Sequence, residues 1–182
     1  MNRSAFAAAL AAILTAGLSA HAETLKGYVY AALEEDGAVE INTTGANSQN
    51  YTLNLPSNKL EQWAKLDGGL VILQGTFQKD GSFTPDLKAP IVLQATAAAS
   101  SGKKANLLDT QAPSRGVNND GAIKVKFTQS AGIPKVGELI WATGKFNGAT
   151  YGMNISRWSQ SKGGSSADSG NASGSGNAGT TR

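Results

Sequence analysis

The sequence predicts an all-β protein with one short helix, arranged as two small barrel-like units behind an export leader. Three observations lead there. Short apolar runs alternate with polar residues at period two, and turn residues separate them. The two longest runs share a pattern. Gly68-Gly-Leu-Val-Ile-Leu-Gln-Gly-Thr-Phe77 and Gly137-Glu-Leu-Ile-Trp-Ala-Thr-Gly-Lys-Phe146 both read Gly-x-Leu-(Ile/Val), then three residues, then Gly-x-Phe. The interior glycine of each, Gly75 or Gly144, marks the bend where a small barrel closes. Only residues 57–66 carry apolar side chains at helical spacing.

Arg3 and the amino terminus supply a positive region, and Ala5 to Leu18 is an apolar run. Ala20-His21-Ala22 is a small-x-small cleavage site, so residues 1–22 read as a signal peptide and Glu23 as the mature start. The protein is therefore expected in the periplasm or secreted. The apolar run is shorter than the roughly 20 residues of a spanning helix, so no stable membrane insertion is expected after cleavage. There is no cysteine. Disulfides and thiol-linked lipids are thereby excluded, and the core must hold by burial alone.

Residues 25–33 alternate, with Leu25, Gly27, Val29, Ala31 and Leu33 on one side and Lys26, Tyr28 and Tyr30 on the other. Glu34-Glu35-Asp36-Gly37 is a turn. Val39 and Ile41 continue a second strand, and Tyr51, Leu53 and Leu55 form a third that Pro56 stops. Ser57 is placed to cap the helix, whose stripe is Leu60, Trp63 and Ala64. Asp67-Gly68-Gly69 ends it. A fourth strand covers Leu70 to Phe77, a hairpin turn falls at Asp80-Gly81, and a fifth strand is expected at Ile91 to Gln94.

Three strands, a helix, then two strands over residues 23–97 resemble the OB-fold, a five-stranded Greek-key barrel with a helix plugging one end between strands three and four. The resemblance is one of order and spacing, and it implies a fold rather than an activity. Residues 98–160 read as a second, partial OB-like unit packed on the first, with strands that extend the first into one larger sheet as the alternative. Ala95 to Lys104 reads as a connector and Leu107 to Asn119 as irregular. Strands follow at Ile123 to Phe127, 139–146 and Thr150 to Trp158, with a loop at Ala131-Gly-Ile-Pro134 in place of a helix. This half is similar to the last three strands of helix-less OB barrels such as the haem chaperones of cytochrome c maturation. Those proteins attach haem through a histidine. Here the single histidine, His21, lies in the leader, so the activity does not carry over. Residues 161–182, almost wholly Gly, Ser, Asn and Ala, read as a disordered tail.

The catalytic inventory is poor. A mature chain without His or Cys has no histidine triad, thiol nucleophile or ordinary zinc site. Glu34, Glu35 and Asp36 cluster only in a hairpin tip, where solvated acids are ordinary. No EF-hand spacing and no phosphate-binding glycine loop occur. No enzyme and no cofactor are expected.

Charge is uneven. Residues 26–97 hold five basic and eight acidic side chains, a net charge of −3, whereas residues 98–162 hold nine basic and three acidic, a net of +6. The basic half suggests an anionic partner. Two patches are candidates for it. The first is Lys26, Tyr28 and Tyr30 on one face of the first strand; the competing reading packs both tyrosines beneath the second unit. The second is Lys124, Lys126, Trp141, Lys145, Arg157 and Trp158; the competing reading puts both tryptophans in the core, with lysines guarding strand edges. Trp141 points outward only if Ile140, Ala142 and Phe146 point inward. Aromatics interleaved with cations suit single-stranded nucleic acid or another anionic polymer. The expected function is thus a non-catalytic binding module of the cell envelope. Its alternative is a structural or accessory subunit of an envelope, secretion or conjugation assembly, docking on an envelope protein.

Overall fold

The computed structural model describes residues 22–32, 37–111, 121–148 and 152–161. The leader up to residue 21, the Glu34-Glu35-Asp36 turn, residues 112–120, the start of the last predicted strand and the tail beyond Ser161 lie outside the described residues. In chain order the elements are β1 (Glu23–Ala32), β2 (Ala38–Thr43), β3 (Asn50–Thr52), a 3-10 turn (Ser57–Lys59) running into α1 (Leu60–Ala64), β4 (Leu70–Phe77), β5 (Phe83–Pro85), β6 (Ile91–Ala98), β7 (Leu107–Asp109), β8 (Ile123–Phe127), β9 (Leu139–Phe146) and β10 (Met153–Gln160).

The strands close into barrels. β6 pairs with β7, β7 with β8, β8 with β10, β10 with β9, and β9 returns to β6. In this five-strand ring β8 and β10 run parallel and every other pair is antiparallel. The first half traces the same circuit. β1 pairs with β2 and β4, β2 with β3, and β4 with β5. A single parallel bridge between Leu53 and Phe83 joins β3 to β5, with Asn54 N–H donating to the Phe83 carbonyl at 2.9 Å. The architecture is OB-like, with α1 between the third and fourth strands of the first circuit.

The two circuits share one sheet, because Leu70, Val71 and Ile72 of β4 pair with Gln94, Leu93 and Val92 of β6. Strand six is therefore the first strand of the second unit, and the short Phe83–Pro85 strand takes the fifth place in the first. The sequence hides this because Pro85 reads as a breaker, yet a proline is tolerated at a strand's end. The second unit is also fuller than its composition suggests. Ala95, Ala97 and Ala98 are fully buried β6 residues, and Leu107, Leu108 and Asp109 form the buried β7. Alanine carries little strand propensity, so only tertiary packing marks that segment as strand.

The repeated Gly-x-Leu pattern has a structural counterpart. Gly68 and Gly137 both adopt positive φ, +71° and +88°. Gly68 N–H donates to the Val29 carbonyl at 2.9 Å, and Gly137 N–H to the Ala97 carbonyl at 2.7 Å. Val29 N–H returns a bond to Gly69 and Ala97 N–H to Glu138, both at 2.9 Å. Further along, a Cβ on Gly75 would lie 2.2 Å from the Thr84 carbonyl oxygen, and one on Gly144 would lie 2.5 Å from that of Asn154. Each glycine thus lets the fifth strand cross close over the fourth, as the barrel bend requires.

One apolar cluster runs through both units, from Leu25, Val29 and Ile41 to Ile140, Met153 and Ile155. Trp63 and Leu66, buried at the end of α1, plug the first barrel. The Trp63 ring also packs on Phe146 of β9, centroids 5.8 Å apart, so the plug touches the second barrel. Ser57 makes no capping hydrogen bond; the 3-10 turn opens after Pro56, with Lys59 N–H donating to the Pro56 carbonyl.

Candidate functional site

Because β4 and β6 pair, the strands β2, β1, β4, β6, β9 and β10 lie side by side. Their shared outer face is about 24 Å wide at the usual strand spacing. Strand alternation fixes which residues populate it. Leu25 and Val29 are buried, and the intervening Lys26, Tyr28 and Tyr30 are exposed. Tyr28 is 45% and Tyr30 50% exposed, so neither is covered by the second unit. On β9, Ile140 and Ala142 are fully buried and Phe146 packs on the core, which turns Trp141 outward.

The pairing register arranges this face in two rows. One row runs Tyr28–Leu70–Gln94–Trp141–Ser159. The neighbouring row runs Lys26–Ile72–Val92–Thr143–Arg157. An aromatic row, with Tyr30 set beyond Tyr28, is flanked by a row with a cation at each end. Lys26 Nζ stands 5.7 Å from the centroid of the Trp141 ring. Arg157 Nε donates to Thr143 Oγ1 at 3.4 Å. Between Trp141 and Arg157 the face dips into a groove of about 310 Å³, lined also by Val92, Thr143, Trp158 and Ser159. Glu40, opposite Tyr30 on β2, is the acid nearest this patch in the pairing register.

Trp158 borders the groove but turns toward the core. A bulge between Ile155 and Arg157 resets the alternation of β10, so Trp158 lies opposite the buried Ala142 and packs against the core. It borders the groove from within, and its indole N–H is buried without a hydrogen-bond partner. A bulge leaves no signature in this stretch of sequence, so alternation alone does not fix the face of Trp158.

The remaining predicted residues lie on the adjoining wall of the second barrel. Lys124 and Lys126 are exposed on β8. Lys126 and Lys145 flank Asn154 in one row across β8, β10 and β9. Lys145 shares the outward face of β9 with Trp141 but lies four residues, about 13 Å, further along. It lines a separate cleft of about 130 Å³ with Lys59, Gln62 and Asp86, over a floor of Trp63, Ile91 and Phe146. The structure thus gathers Lys26, Tyr28, Tyr30, Trp141 and Arg157, and sets Lys124, Lys126 and Lys145 along a continuation of that surface. Sequence reasoning missed Ile72, Val92 and Thr143, which lie between the two cations, and Ser159, beside Trp141 in the other row. The repeated glycine pattern carried the signal, since it aligns Ile72 with Trp141.

Among the described residues no group of three or more His, Cys, Asp or Glu could hold a metal ion. Fold and site together define an OB-like tandem barrel with an aromatic and cationic outer face. Comparison of the chain with protein-family models, with curated proteins and with solved structures finds no match.

Proposed function

We propose that this protein is a non-catalytic binding module, exported to the cell envelope, that holds a single-stranded nucleic acid across the joined outer face of its two barrels. The observation that carries the reading is the pair of rows. Bases need flat apolar surfaces, and Tyr28 and Trp141 offer them in one row. Phosphates need cations at their side, and Lys26 and Arg157 stand in the next row. Stacking supplies about 1–3 kcal/mol per base and tolerates any sequence, whereas the cations supply salt-dependent attraction. Beyond Trp141 the strand would follow β9 toward Lys145 and Lys126.

Fluorescence anisotropy with a labelled oligothymidylate tests this. Trp141→Ala should weaken binding by about 1–3 kcal/mol and leave the salt dependence alone. Replacing Lys126 and Lys145 together by alanine should lower the slope of log K against log salt by about 1.4, the value for two phosphates on a single strand. Failure to bind at low salt removes the proposal.

A second reading, a structural subunit docking on an envelope protein, is favoured by one feature. Residues 157–160 of β10 pair with β9 on one edge, and among the described residues no strand pairs with the other. Such an edge accepts an added strand. Crosslinking from Gln160 in intact cells should then trap one protein partner, and a protein recovered only as a monomer argues against it.

A further inference from the structure

Lys26 and Trp141 come from different barrels. β4 and β6 lie between their strands, so the two backbones are about 14 Å apart. The side chains meet over the row positions of Ile72 and Val92, with the ammonium 5.7 Å from the indole centroid. That distance is within the range of a cation–π attraction. An indole face covered by an ammonium is not open to a stacking ring. The same contact that prepares the site therefore also covers it.

We propose that Lys26 is a specificity-determining residue that selects what stacks on Trp141. A ring arriving there must displace the ammonium and lose the cation–π attraction. A neutral ring offers nothing in return. A ring joined to an anionic group restores the loss, because the displaced Lys26 pairs with that anion while the base takes its place on the indole. Arg157, in the same row as Lys26 but two strands beyond β6, can hold the next anion. The ligand class so defined is an aromatic base carrying a phosphate, as in a nucleotide or one unit of a single strand. Neutral aromatics and uncharged sugars are disfavoured. Lysine suits the task, since its flexible stem carries a compact charge that can swing from ring to phosphate. The inference deepens the nucleic-acid reading and rests on it.

The test uses Lys26→Met, which keeps the stem and removes the charge, with adenosine and adenosine monophosphate as probes. Without ligand, the variant should shift the indole N–H resonance of Trp141, assigned by its loss in Trp141→Phe. Wild-type protein should prefer the monophosphate. In Lys26→Met, adenosine should bind about two- to fivefold more tightly, the factor released with an exposed cation–π contact, while the monophosphate weakens. Lys26→Arg should bring the preference for the monophosphate back. An unmoved resonance, a change of the same sign for both probes, or no binding of either probe at millimolar concentration overturns the proposal. The polymer reading fails separately, if oligothymidylate does not bind while the two small probes still respond in opposite directions.

Discussion

Replacing Gly75 by alanine tests whether the bend in β4 closes the first barrel. The added Cβ would sit 2.2 Å from the Thr84 carbonyl oxygen and 2.8 Å from two carbons of the Phe83 ring. Ordinary contact begins near 3.4 Å, so β5 must move by more than 1 Å. That strand holds only three pairs with β4, and Phe83 carries the bridge to Leu53 that completes the circuit. Overpacking of this kind costs about 1–3 kcal/mol, and one strained or lost ladder bond adds about 1. The sum, about 3 kcal/mol, corresponds to a fall in Tm of about 10 °C for a chain of this size. In an ordinary strand the same change would be favourable by about 0.5–1 kcal/mol, because alanine loses less entropy than glycine on ordering. The sign therefore decides. Circular dichroism melts of Gly75→Ala, of Gly144→Ala and of a control, Gly148→Ala, supply the measurement. A Cβ on Gly148 meets nothing within 4 Å, so the control should melt with the wild type. A Gly75→Ala protein that melts at or above the wild-type temperature would refute the account of barrel closure.

Trp63→Ala should cost about 3–5 kcal/mol, as for other fully buried aromatics. Because its ring also packs on Phe146, both barrels should soften in one transition, and two separated calorimetric transitions would contradict the shared core. Tyr28→Ala and Tyr30→Ala should leave the melting temperature within about 1 °C, as exposed sites do, yet each should weaken oligothymidylate binding by about 1–3 kcal/mol; unchanged affinity in both would detach β1 from the site. The Asp80 carboxyl is held below its ordinary value of 3.8, first by the Ser82 backbone N–H and then by the Ser82 hydroxyl. Its folded-state pKa is depressed, so the stability it adds is present above the ordinary value and fades as pH falls through the folded value. The deficit of Asp80→Asn should therefore shrink in acid, and a deficit constant from neutral pH down to strong acid would rule this out.

In the first unit the cleanly alternating strands were legible, whereas the short Phe83–Pro85 strand was missed and the third strand is shorter than expected, ending at Thr52 with Leu53 in a lone bridge. Val29, Val39, Ile41, Val71 and Leu73 are all buried, as period two requires. The fourth-strand repeat was legible because glycine at a close crossing has no substitute. The start of β6, Ile91 to Gln94, was legible as a strand but reads as part of the first unit; its continuation through Ala95, Ala97 and Ala98 and the three-residue β7 were not legible. These small side chains are buried on both faces of β6, but in sequence they read as a connector. The exposure of Tyr28 and Tyr30 could not be settled by alternation, which gives a face but not what covers it. For Trp158 the sequence left surface and core both open, and the bulge after Ile155 turns it toward the core at the border of the groove.

The site itself depends on a pairing that no local pattern announces. Lys26 and Trp141 are far apart in sequence and belong to different circuits. They share a face only because β6 serves twice, as partner of β4 and as first strand of the second ring. A lone five-stranded barrel curves its outer surface away on both sides. The β4–β6 pairing continues the surface of one unit into the other, with Ile72 and Val92 side by side at the junction. An extended strand laid across that junction would touch both units at once. In the first barrel the repeat places Ile72 where the second has Trp141. The two units therefore share the geometry of closure but not the residues of the face, and the contact of Lys26 with Trp141 arises only because the two are joined.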